Sequence, residues 1–161
     1  MTNIGKIDDF GTLIEPATLK IQRLLPGPIE RVWSYLTEDE YDNCLFYRFI
    51  PDRPGELQRG GRLQALKIRG QNAFDTRNWD ARNFHPGDSL PVEWMDVEDS
   101  ANPDNDIALR HIALGAAQFT RGEGIWFGEN ELYFTCTDGG PARQGQIFRY
   151  IPSPHEGTSA E

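Results

Sequence analysis

Ile125-Trp126-Phe127-Gly128-Glu129-Asn130-Glu131-Leu132-Tyr133-Phe134-Thr135-Cys136-Thr137 carries the clearest strand pattern in the chain. Aromatic and branched residues fill Ile125 to Phe127 and Leu132 to Thr137, and Gly128-Glu129-Asn130 supplies the residues of a tight connection between them. Asp138-Gly139-Gly140 follows as a second turn, and Gln146 to Ile151 reads as a third strand. The stretch therefore predicts an antiparallel meander of short strands, the pattern of a single propeller blade, although no repeat of fixed period runs through the chain.

Upstream the same vocabulary recurs. Cys44 to Ile50 is rich in aromatic and branched residues and is closed by Pro51-Asp52-Arg53-Pro54-Gly55; Gly60-Gly61 introduces a further strand at Arg62 to Ile68. Arg69 to Leu90 is polar and irregular, a long loop of the kind that often carries function. Pro91 to Val97 predicts a strand, and Ile107 to Phe119 a short helix weakened by Gly115. Nearer the start, alternation over Ala17 to Leu25 predicts a strand. Pro28 then suits the first turn of a helix whose apolar stripe is Ile29, Val32, Trp33 and Leu36. The tail from Pro152 to Glu161 has no apolar periodicity and is expected to be disordered. The fold class read from these patterns is mainly β: a partial propeller-like meander with a short N-terminal strand and helix.

The 161 residues leave room for one core. With 16 Gly and 11 Pro the chain is too rich in breakers for a helical bundle. A formal net charge of -9 repels phosphate backbones and anionic lipid, which argues against a nucleic-acid partner, while three acidic clusters, residues 38–42, 96–99 and 104–106, would attract cations if they are more than solvated loops. Cys44 and Cys136 form no CxxC pair, so neither a zinc site nor a disulfide framework is legible. No basic-then-apolar leader opens the chain and no window approaches a membrane span, so the sequence as written predicts a cytoplasmic protein with no membrane partner.

Two families are resembled. Phe10-Gly11-Thr12-Leu13-Ile14-Glu15-Pro16-Ala17-Thr18, continuing through Leu24-Leu25-Pro26-Gly27-Pro28 to Thr37, looks like the opening strand and helix of a START-like protein of the heat-shock ATPase-activator homologue type. That resemblance implies an apolar-ligand or chaperone-partner binder. Tyr35-Leu36-Thr37-Glu38-Asp39, Asp42 to Pro51, Gly60 to Leu66, Asp75-Thr76-Arg77-Asn78-Trp79, and above all Gly115 to Phe127 with Tyr133 to Thr137, resemble the middle of a PhoX-type phosphatase. Members of that family are exported propellers carrying iron and calcium ions. The organisation implied is a START-like segment at residues 1–37, a partial propeller segment at 38–151 and a tail at 152–161, with a joint near Tyr35 to Asp39.

The PhoX-type resemblance implies hydrolysis of a phosphate ester, with calcium and iron as cofactors. Hard cations held by carboxylates would neutralise the phosphoryl oxygens and activate the nucleophile. By resemblance Glu38 and Glu123 are metal ligands, and Arg121 faces the substrate phosphate, where a guanidinium binds two oxygens at once. From the residues alone the preferred readings are structural: Glu38 as the capping or solvated end of a helix, and Arg121 and Glu123 as an exposed ion pair on one strand face. A propeller draws its site from many blades, so a chain with about two of them is expected to lack the full ligand set, to leave apolar surface uncovered and to self-associate. The readings left open are a phosphatase segment, a START-like binder and a non-functional fusion product.

Overall fold

In a computed structural model of the chain the described residues are 12–15 and 18–20, of which only the backbone course is described, together with 42–101 and 104–156. The first two stretches are strands β1 (Thr12–Glu15) and β2 (Thr18–Lys20), paired antiparallel. β2 falls within the strand expected at Ala17 to Leu25, while β1 was not foreseen. The helix expected at Pro28 to Thr37 lies outside the described residues, as does Glu38.

The remaining described chain forms two three-stranded antiparallel sheets. β3 (Tyr47–Pro51), β4 (Gly61–Ile68) and β5 (Val92–Asp96) make one, and β6 (Gly122–Gly128), β7 (Glu131–Cys136) and β8 (Gln146–Tyr150) the other, each in chain order. Among the described residues no barrel closes. The architecture is mainly β, as the hydrophobic alternation requires. In β7, Leu132, Phe134 and Cys136 turn inward while Tyr133 is exposed; in β8, Phe148 and Tyr150 turn inward while Ile147 and Arg149 are exposed.

The core between the sheets is an aromatic stack. Phe46 lies 4.2 Å from Phe134, and Phe134 lies 5.2 Å from Phe148, in stacked pairs, with Phe119 edge-on to all three. From the first sheet, Leu66, Ile68 and Trp94 face this cluster. The alternate residues Leu63, Ala65 and Met95 point the other way, where the single described α-helix, α1 (Ile107–Ala113), lays Ile107, Ala108 and Ile112 against them. The order of layers is helix, sheet, sheet.

Two departures from the sequence reading have local causes. The helix expected to reach Phe119 stops at Ala113, because Gly115 adopts φ 112° and the chain turns back. Ala117 and Phe119 then run inward: Ala117 N–H donates to Leu66 O, and Phe119 bridges to Cys44. The strand expected from Cys44 starts at Tyr47, since Cys44 pairs with Phe119 instead of β4. The tail also differs from expectation over its described part. The Glu156 side chain is 3% exposed and forms an ion pair with Arg48; residues 157–161 lie outside the described set.

Candidate functional site

Arg121 immediately precedes β6 and Glu123 lies at its start, and both are exposed. Their relation is not that of alternate residues on one strand face. The register runs Gly122 opposite Cys136 and Gly124 opposite Thr135, which makes Glu123 the extra residue of a β-bulge. Arg121 sits just before the strand at φ 41°, a left-handed conformation costing a non-glycine residue about 1 kcal/mol. Its carbonyl accepts from Thr137 N–H at 2.9 Å and from the Thr137 hydroxyl at 3.3 Å, contacts that hold the turn. Bulges re-aim side chains next to functional sites, and this one displays Glu123 between two glycines.

The segment that follows Glu38 and Asp39 runs through this neighbourhood. At Cys44 the backbone N–H groups of Gly122 and Arg121 face the thiol sulfur. Burial pushes the thiol up despite those N–H groups, in keeping with a packing role for buried Cys44. At Asp42 the backbone carbonyl accepts from Arg77 Nη1 at 3.0 Å. Asn43 accepts a hydrogen bond from the Gln118 amide. Residues 42–44 therefore lie between Arg77 on one side and Arg121-Gly122 on the other.

Arg77 belongs to a constellation that the sequence reading placed in a long loop without a role. Its backbone N–H, Nε and Nη2 donate to the Asp75 carboxylate at 2.8 to 2.9 Å. Burial alone would push the Asp75 carboxyl up, but these donors outweigh it and hold the carboxyl below its ordinary range. The guanidiniums of Arg77 and Arg143 both stack on Trp79, 4.3 and 3.8 Å from the ring centroid, and the indole N–H donates to Asp138 O at 2.6 Å. The loop is further fixed by buried Asn78, whose side chain pairs with both backbone groups of Phe84. The Asp75-x-Arg77 spacing, set between strands, was the available signal.

A comparison with protein-family models matches residues 27–161, more than four-fifths of the chain, to the alkaline phosphatase PhoX family. The chain belongs to that family. Parts of the stretches Asp42 to Pro51, Asp75 to Trp79 and Gly115 to Phe127, which carry the resemblance in the sequence, meet around residues 42–44. No significant match was found among curated proteins or among solved structures. The START-like resemblance at the N-terminus finds no support in the comparisons, and the PhoX match already covers Pro28 to Thr37.

Calcium and iron require several oxygen donors around one point. Among the described residues no group of three or more His, Cys, Asp or Glu side chains comes together to hold an ion. Glu123 stands as a single exposed carboxylate, and Glu38 lies outside the described residues. The described donor set therefore does not by itself fit such a centre. His85 is tied to Asp88, and His111 is enclosed by the helix layer, so neither adds a donor here.

Proposed function

We propose that this chain contributes to phosphate-ester hydrolysis of the PhoX type, at the surface where residues 42–44 pass between Arg77 and the β6 bulge. The observation that carries the reading is the family match over residues 27–161, a range that includes this surface. Arg121 receives the phosphate: its guanidinium offers two parallel donors to two phosphoryl oxygens, and its turn is braced by Thr137. Arg77 braces the surface: its charge is balanced by Asp75, and its remaining donor holds the Asp42 carbonyl in place.

Glu123 and Glu38 are proposed as carboxylates toward calcium or iron, completed by donors beyond the described residues. The substrate is a phosphate ester; a chain of net charge -9 has little attraction for nucleic acid. Among the described residues no helix is long and apolar enough to cross a membrane.

Calorimetric titration with calcium, followed by an aryl phosphate assay with calcium and iron present, tests the proposal. Glu123→Ala should abolish calcium binding, because a lone carboxylate holds such ions weakly. Arg121→Ala should spare the metal and weaken phosphate binding at least tenfold, in keeping with loss of a charge-assisted pair of about 1.5 to 3 kcal/mol. Calcium binding and turnover unchanged in Glu123→Ala would remove the assignment.

A further inference from the structure

Glu156 ends the described chain inside the protein. Its Oε1 receives Arg48 Nη1 at 2.6 Å, and its Oε2 receives the Tyr150 hydroxyl at 2.7 Å and, more distantly, Ser153 N–H at 3.4 Å. The donors are built into the sheets and are themselves buried. Arg48 on β3 is 5% exposed and Tyr150 on β8 is 6% exposed. Arg48 is oriented by Gln64 at 2.7 Å, itself held by Asp96, and its guanidinium lies 4.4 Å over the Trp94 ring; the Trp94 indole N–H donates to Tyr150 at 3.3 Å. The carboxylate comes from a different kind of element, a turn at Pro154–Glu156 in a segment with no strand or helix.

That segment also walls a cavity. A space of about 450 Å³ lies between the sheets, floored by Phe84, Phe119, Phe134 and Phe148, and Tyr150, Ser153 and His155 line it as well. The volume falls within the range of small-molecule pockets and far exceeds a packing defect. Neither Arg121 nor Glu123 lines it. Of the groups that hold Glu156, Tyr150 lines this cavity while Arg48 and Trp94 lie beyond its wall, on the other side of the Glu156 carboxylate. Moving the segment 152–156 aside would join the guanidinium and phenol to the aromatic space, an arrangement that matches a ligand with an oxyanion head and an apolar body.

We propose that Arg48, Tyr150 and Trp94 form a carboxylate-binding pocket which the chain's own Glu156 occupies. Residues 152–156 are then a displaceable strap, and the ligand that replaces it is an aryl or alkyl carboxylate whose body enters the aromatic cavity. Tyr150 is suited to the donor role: burial, reinforced by the bond to Glu156, pushes its phenol far up, so it keeps its proton at neutral pH. A Glu156 that served only as a structural partner would leave a void that acetate fills at least as well as benzoate, whereas a pocket continuous with the aromatic cavity prefers the anion with an aromatic body.

The test is rescue in the full-length chain. Glu156→Ala should melt lower than the parent. Benzoate at about 50 mM should raise its Tm by about 5 °C or more relative to chloride at equal ionic strength, the shift given by binding at concentrations well above Kd. Acetate should do so less, because it leaves the cavity empty. The parent should shift by no more than a fifth as much, and Arg48→Gln combined with Glu156→Ala should lose the rescue. Glu156→Gln, which keeps the side-chain shape, covers the case in which the alanine variant does not fold, and it should show the same benzoate-specific rise. No benzoate effect beyond chloride in either variant, or an equal shift in the parent, overturns the proposal.

Discussion

Replacing Phe134 by alanine removes the side chain on which the two sheets meet. The ring is 3% exposed and is stacked between Phe46 at 4.2 Å and Phe148 at 5.2 Å, with Phe119 edge-on at 5.4 Å. A buried Phe→Ala change costs about 3 to 5 kcal/mol in lost transfer and cavity energy, and each aromatic pair adds about 0.5 to 1.5 kcal/mol. The upper part of that range applies, because Phe134 joins partners from the end of the first sheet to partners in the second, and an open pair of sheets has little to collapse with. Against a total stability of about 5 to 15 kcal/mol, this is a third or more, equivalent to about 10 to 20 °C in Tm. Urea unfolding followed by tryptophan fluorescence reads it as a shift in midpoint at unchanged slope. Ile147→Ala, one strand over but 74% exposed, is the control and should stay within about 0.5 kcal/mol. A Phe134→Ala shift below about 1.5 kcal/mol, or one no larger than the control, would refute the claim that this stack joins the sheets.

The Asp75–Arg77 pair makes stability depend on acid. The Asp75 carboxyl lies below its ordinary range when folded, so its contribution is present above the ordinary carboxylate range and is lost as pH falls through it toward the depressed value. Asp75→Asn should flatten the pH dependence of Tm below about pH 5, and an unchanged slope would contradict the pairing. Self-association should follow from the outer face of the second sheet, where Trp126 is 59%, Tyr133 38% and Ile147 74% exposed. Sedimentation should show a mass that rises with concentration, and Ile147→Lys should reduce it; a strict monomer across concentrations counts against the idea. His111 is 1% exposed and its Nδ1 pairs with Ile107 O, while Nε2 has no hydrogen-bond partner among the described residues. His111→Phe is therefore expected to cost less than about 1 kcal/mol despite complete burial, and a loss above about 3 kcal/mol would reveal a role for Nε2.

Most of the β framework was legible in the sequence, because alternation of apolar side chains is a local record of which face is buried. Leu132, Phe134, Phe148 and Tyr150 could be assigned to the core from their spacing, and Gly128 to Asn130 and Asp138 to Gly140 marked their turns. The end of α1 was misread because apolar spacing continued through Gly115 to Phe119, whereas pairing of Phe119 with Cys44 draws those residues into an extended course. The resemblance carried by residues 35–39, 42–51 and 115–127 pointed to the PhoX family, and the family match upheld it.

What the sequence could not show is which distant residues share a site. Arg48 and Glu156 lie more than a hundred positions apart, and nothing periodic links them; only the tertiary fold, which lays the turn carrying Glu156 against β3 and β8, brings a guanidinium, a phenol and a carboxylate together away from water. The bulge at Glu123 was hidden for a related reason. Period-2 spacing assumes an unbroken register, and the register is set by pairing with Cys136 and Thr135 on the neighbouring strand. Local patterns determined the strands and their buried faces, while long-range pairing, with the desolvation it imposes, decided where the charges meet.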